Sequence, residues 1–164
     1  MEEKKLFNDN LVVSDAMVII HFYNLVMFEQ LINWTNGKIV VEKNVIEEAK
    51  YSKMGPIDLN PYFSDGRLIS QDINGEEEEN LFFDYMANGI NGKRIHRGEA
   101  ASLALAISNG YGLACDERDV INEFVRKCPG KLAITSFGII DKAQSLGFVD
   151  EQQAKDMKKG ITYF

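Results

Sequence analysis

The segment from His96 to Phe124, HRGEAASLALAISNGYGLACDERDVINEF, restricts the possible folds more than any other stretch of the chain. Ala100, Leu103, Ala104 and Ile107 recur at helical spacing, and their small side chains let that face lie close against a neighbouring element. Asn109-Gly110 stops the helix, and Gly112 to Cys115 then reads as a short, buried parallel strand. Asp116 follows directly, and Asp119 stands three residues on, one turn later if a helix begins there. The segment thus offers an acid near a helix start, Glu99, and two acids just past a strand end. Open α/β sheets bind their ligands at that end of the strands. It reads as half of a metal-binding carboxylate cluster.

A chain of 164 residues with 45% hydrophobic residues and three prolines suits one globular domain with one sizeable core. The net charge of −7 argues against a general nucleic-acid coat, which would be basic. It leaves room for a nucleic-acid enzyme, because carboxylates gathered around cations raise the acidic count while the ions restore positive charge locally. Cys115 and Cys128 have no metal-ligand spacing, and Cys115 reads as a small apolar core residue. The start, MEEKKLFNDN, is charged and has no apolar signal core, and no run is long enough to span a bilayer. A reduced, cytoplasmic setting without a membrane partner is expected.

Leu11 to Ser14 reads as the first, central strand, ending at Asp15. Ala16 to Trp34 is apolar on several faces, as in a helix or a pair of helices broken near Asn24. That surplus of apolar residues suggests a face left over for a second copy. Lys38 to Val41 is a second strand, and Asn44 is placed to cap the helix carrying Val45 to Ala49. Residues 54–91 read as a partly irregular insertion, with an edge strand at Leu68 to Ile73 and a helix opened by the glutamates at 76 to 79. After Asp116 come a helix to about Lys127, a strand at Leu132 to Ile134, and a helix capped by Ser136 with Phe137, Ile140, Ala143 and Leu146 on its apolar face. Asp150 caps the last helix within a C-terminal stretch, 150–164. Alternating strands and helices predict a parallel sheet of four or five strands with helices on both faces.

Four segments therefore set acids at comparable points: Asp15, then Glu47 and Glu48, then Glu99, then Asp116 and Asp119. Carboxylates cannot share a small site at neutral pH without shifted pKa values or bound cations, and oxygen-only ligands suit magnesium or manganese. Each acid also has an ordinary role open to it: Asp15 as a helix cap, Glu48 and Asp119 on the surface, Glu99 on a helix dipole. His96 reads as a surface residue. Lys93, Arg94, Arg97 and Arg118 flank the acids; singly they suit solubility, and as a group they suit a phosphodiester substrate.

VVSDAMVII, IVVEKNVIEEA, HRGEAASLALA and LACDERDV, with the ending ITSFGIIDKAQSLGFVDE, together resemble the PIN-domain nucleases, in the branch that contains toxins of the VapC type. The resemblance runs from Leu11 to about Glu151. It sets Asp15, Glu48, Glu99 and Asp116 on the family's four acids, with the V-x-x-E spacing from Val45 favouring Glu48 over Glu47. Many relatives carry Asp-Asp where this chain has Cys115-Asp116 or Asp116-Glu117, and residues 54–91 match nothing in the pattern. The resemblance implies a single α/β PIN-like domain over 1–164, a three-layer sandwich. It implies a magnesium- or manganese-dependent endonuclease acting on single-stranded RNA, with Asp15, Glu48, Glu99 and Asp116 catalytic. Asp15, Glu99 and Asp116 would hold the ions, with Asp119 as a further ligand, and Lys93, Arg94, Arg97 and Arg118 would hold RNA. An antitoxin protein and a second copy of the chain are the partners it implies. Asp116→Asn is expected to keep the fold and abolish magnesium- or manganese-dependent RNA cleavage, with the metal-free melting temperature unchanged or raised. Two other readings are a degenerate relative that binds RNA or a partner without cleaving, and a phosphatase of another α/β fold. The phosphatase would want D-x-D on the first strand, where this chain has Asp15-Ala16-Met17.

Overall fold

The computed structural model describes residues 4–8 and 10–162; the expectations for the first three residues and for the end of the 150–164 stretch lie partly outside them. The chain runs β1 (Val12–Ser14), α1 (Ala16–Asn24), α2 (Phe28–Thr35), β2 (Ile39–Val41), α3 (Lys43–Glu48), β3 (Tyr51–Ser52), β4 (Gly55–Pro56), α4 (Asn60–Ser64) and β5 (Leu68–Ser70). It continues through α5 (Glu76–Asn88), α6 (Arg97–Asn109), β6 (Gly112–Ala114), α7 (Arg118–Lys127), β7 (Ala133–Ile134), α8 (Ser136–Ser145) and α9 (Glu151–Thr162). Five strands form one parallel sheet in the order β5-β2-β1-β6-β7. The fold is α/β, a three-layer arrangement consistent with the PIN-like sandwich that the resemblance implies.

Strand periodicity assigns the two faces. Val12 and Val41 join one core with α1, α2, α8 and α9, while Val13, Val40 and Leu113 join the other with α5, α6 and α7. Helix α6 is buried from Gly98 to Ala106, the condition in which a helix need not be amphipathic. Its alanines let it lie directly on the sheet. The chain starts in the middle at β1, builds outwards to β5, and returns to the other side of β1 at β6. That reversal opens a crevice at the C-terminal ends of β1 and β6.

Several local expectations change. The cap of α3 is Glu42, whose carboxylate accepts from the Asn44 amide at 2.6 Å, and not Asn44 itself. The cap of α8 is Thr135, which accepts from Gly138, and not Ser136. In α8, Ile140 and Ala143 are buried as the sequence reading has it, but Phe137 is 40% exposed and Ile139 is buried as well. The irregular insertion contains a small hairpin of β3 and β4, docked where Asn24 Oδ1 accepts from the Lys53 amide at 2.7 Å. Most of the apolar surplus of residues 16–34 is covered by the chain's own core: Val18, Ile19, Phe22, Phe28, Leu31 and Ile32 are all buried. The physical argument for a second copy at this face therefore falls away, leaving only the resemblance. No helix among the described residues is long and apolar enough to cross a membrane.

Candidate metal centre

Two neighbouring strand ends and one helix start build the site. The Asp15 amide donates to Ala114 O at 2.8 Å, continuing the register in which Ser14 stands opposite Ala114, and this brings Asp15 beside Cys115. Glu99 reaches the same point from the first turn of α6. Oxygens of Asp15 and Glu99 and the sulfur of Cys115 all lie within 4.8 Å of one another, and all three residues are buried. Such a group is able to hold a metal ion.

The electrostatics fit that use. Asp15 is 3% exposed, its Oδ1 has no hydrogen-bond partner among the described residues, and its Oδ2 accepts from Cys115 Sγ at 3.6 Å. Burial pushes its pKa up to about 7; the Ala16 amide opposes the rise, and the charges of Glu99 and Glu48 add to it. Glu99 is also raised, chiefly by burial, against a hydrogen bond from the His96 amide at 2.8 Å. Burial, then the neighbouring Asp15, drives the Cys115 thiol far upwards, so without an ion it is a neutral donor. A cation would answer the unpartnered oxygen and the mutual repulsion at once.

Glu48 stands at the edge of this group. Its Oε1 accepts from the Gly98 amide at 2.8 Å, whereas Glu47 Oε2 pairs with Lys50 at 2.7 Å. The V-x-x-E spacing thus selected the acid directed at α6. A Cβ on Gly98 would overlap Glu48 Oε2, so glycine is what admits the carboxylate here. Gly98→Ala should expel Glu48 and weaken metal affinity. Stability should change by no more than about 1 kcal/mol, because alanine's better helix propensity offsets the lost contact. Calorimetric manganese titration beside thermal melts checks this; unchanged affinity would remove Glu48 from the site.

Asp116 lies outside the close group of three. Its Oδ1 accepts from the Ser136 amide at 2.6 Å, and its Oδ2 accepts from Ser136 Oγ at 2.5 Å and faces His21 Nδ1 at 2.6 Å. Burial alone would raise its pKa, but the hydrogen bonds from His21 and Ser136 outweigh it and hold the carboxyl below its ordinary value. Asp119 is farther out, with Oδ2 3.9 Å from Lys93 Nζ. Lys93, Arg94, His96, Glu99, Glu117 and Asp119 line a cleft of about 220 Å³ that reaches the buried acids through Glu99. Arg97 instead lies 5.9 Å over the Phe82 ring, and Arg118 is exposed outside that lining. His96 is exposed, as expected, and serves Glu99 through its backbone.

Sequence reasoning missed His21, the partner role of Ser136, buried Glu42 and the place of Cys115 at the site. A histidine on an otherwise apolar helix was a signal for the first. A second hydroxyl beside the Thr135 cap was a signal for Ser136.

No protein-family model matches the chain. It is similar to the methylenetetrahydrofolate–tRNA-(uracil-5-)-methyltransferase TrmFO of Lactococcus lactis subsp. lactis strain IL1403, 31% identical over 100 residues, which is 60% of this chain and 22% of that protein. The TrmFO of L. lactis subsp. cremoris strain MG1363 matches with the same identity and coverage. The chain thus spans less than a quarter of the length of the curated relatives it matches.

Proposed function

We propose that this protein is a PIN-like, divalent-metal-dependent endoribonuclease that hydrolyses phosphodiester bonds of single-stranded RNA. The observation that supports it best is the buried Asp15, with one unpartnered oxygen, held against Glu99 at the foot of a cleft edged by Lys93 and Arg94. The partial likeness to a tRNA methyltransferase does not itself point to hydrolysis.

Asp15 and Glu99 would hold magnesium or manganese, with Glu48 and Asp116 at the margin and Asp119 at the mouth. A bound ion of this kind supplies Lewis acidity, which makes water a stronger nucleophile at neutral pH and offsets phosphate charge. Lys93 and Arg94 bind the phosphates on either side of the scissile bond. Glu48 Oε1 is fixed by the Gly98 amide, which leaves Oε2 to take the proton of the attacking water. Asp116, clamped by His21 and Ser136, holds the end of β6 against α8. Arg97 and Arg118 would meet RNA farther along its path. An antitoxin-like protein partner, a homodimer and a cytoplasmic setting belong to the same reading.

The test is cleavage of labelled single-stranded RNA with manganese, with magnesium, and with EDTA. Products in the first two and intact RNA in the third are expected. RNA bound but intact in all three would favour the degenerate, RNA-binding relative, a reading to which the saturated hydrogen bonding of Asp116 lends some support.

A further inference from the structure

The cysteine at the end of β6 gives the site a donor that a purely oxygen-based centre lacks. Cys115 Sγ is within 4.8 Å of ligand oxygens of both Asp15 and Glu99. Asp15 Oδ1 is buried and unpartnered in the same place, an independent sign that the pocket is short of a positive partner. We infer that Asp15, Glu99 and Cys115 form a mixed oxygen–sulfur site for a thiophilic divalent cation such as zinc or cadmium. This rests on the proposed metal centre but not on RNA cleavage.

The chemistry follows from donor softness. Magnesium and manganese bind the carboxylates and leave the thiol protonated, donating to Asp15. Zinc or cadmium bonds the sulfur itself: the S–H proton passes to solvent, and a metal–thiolate bond forms with no change of oxidation state. The Asp15 oxygen that accepted from the thiol is then free to bind the same ion. Two carboxylates and one thiolate are three protein ligands, the number found in open zinc centres. The protein would therefore hold zinc more tightly than magnesium, and zinc would displace the hard ion from the site.

Cadmium is the probe, because a cadmium–thiolate bond has an ultraviolet charge-transfer band. Cys128, the other free cysteine, is first replaced by serine so that only Cys115 can report. The Cys128→Ser protein should develop the band with one equivalent of cadmium. Adding Asp15→Asn or Glu99→Gln should weaken cadmium binding about tenfold or more, because loss of even a group that only supports a ligand costs about 10–100-fold. Cys115→Ser, which keeps a small donor beside Asp15, should abolish the band, and circular dichroism confirms that it is folded. Absence of the band in the Cys128→Ser protein overturns the inference. A band whose titration ignores both acid substitutions also overturns it, because the thiol would then be binding alone. If the band behaves as expected while RNA stays intact with manganese, the mixed site stands and the nuclease reading fails.

Discussion

Asp15→Asn should abolish the proposed manganese-dependent RNA cleavage and, at the same time, make the metal-free protein more stable at pH 8. The first effect follows from removing one negative charge from a set whose charge governs affinity for hard cations. The second follows from linkage. With the folded pKa raised from 3.8 to about 7, the native state holds the Asp15 proton more tightly than the unfolded chain does. The stability this contributes is full below about pH 4 and is lost as pH rises through 7. A shift of this size has a ceiling of about 4 kcal/mol. The amide left in place still lacks a partner for its oxygen, at a cost of about 1–3 kcal/mol, a burden the wild-type oxygen shares. A net gain of about 1–3 kcal/mol at pH 8 is therefore expected, roughly 2–10 °C in melting temperature for a domain of this size. Melts in EDTA at pH 5 and pH 8 read it directly: the variant should lead at pH 8 and nearly match wild type at pH 5. Equal melts at both pH values would show that Asp15 is not strained by burial. Undiminished cleavage would remove it from the proposed catalytic centre.

Asp116→Asn should do the reverse and destabilise the protein at neutral pH by about 2–4 kcal/mol. On the sequence alone the same substitution was expected to leave the metal-free protein unchanged or more stable, by relief of carboxylate repulsion. The geometry overturns that expectation. Asp116 accepts from the Ser136 amide and hydroxyl and faces His21, and these contacts together hold its pKa below 3.8. Hydrogen bonds to a charged group each contribute about 1.5–3 kcal/mol, and an asparagine can keep an acceptor on one side only. Because the folded pKa is lowered, the stability tied to this carboxylate is present above its unfolded value and disappears as pH falls through the folded one. The deficit of the variant should therefore be full at pH 7 and shrink below about pH 4. Urea titrations of wild type, Asp116→Asn and His21→Ala at pH 7 and pH 3 test this, with His21→Ala losing less because both Ser136 contacts remain. A variant as stable as wild type at pH 7 would show that these three residues do not act as a clamp.

The contrast between the two aspartates marks how far one-dimensional reading reached. Strand and helix periodicities are local, so β1, β2, β6 and their intervening helices were legible from spacing. So was the rule that parallel strands share one C-terminal edge, which drew Asp15, Glu99 and Asp116 to the same region. Even the choice of Glu48 over Glu47 followed from helical spacing after Val45. The environment of each acid was not legible, because it depends on partners far away in the chain and on the rotation of the elements that carry them. His21 reaches Asp116 across 95 positions, and Gly98 reaches Glu48 across 50. Cys115 looked like core because its strand is apolar, and it is buried; parallel register with β1 sets it against Asp15 as well. Residue type and spacing thus determined that acids would gather at the strand ends. Register and helix rotation decided which acid is left with an unpartnered oxygen, and which is already satisfied by its neighbours.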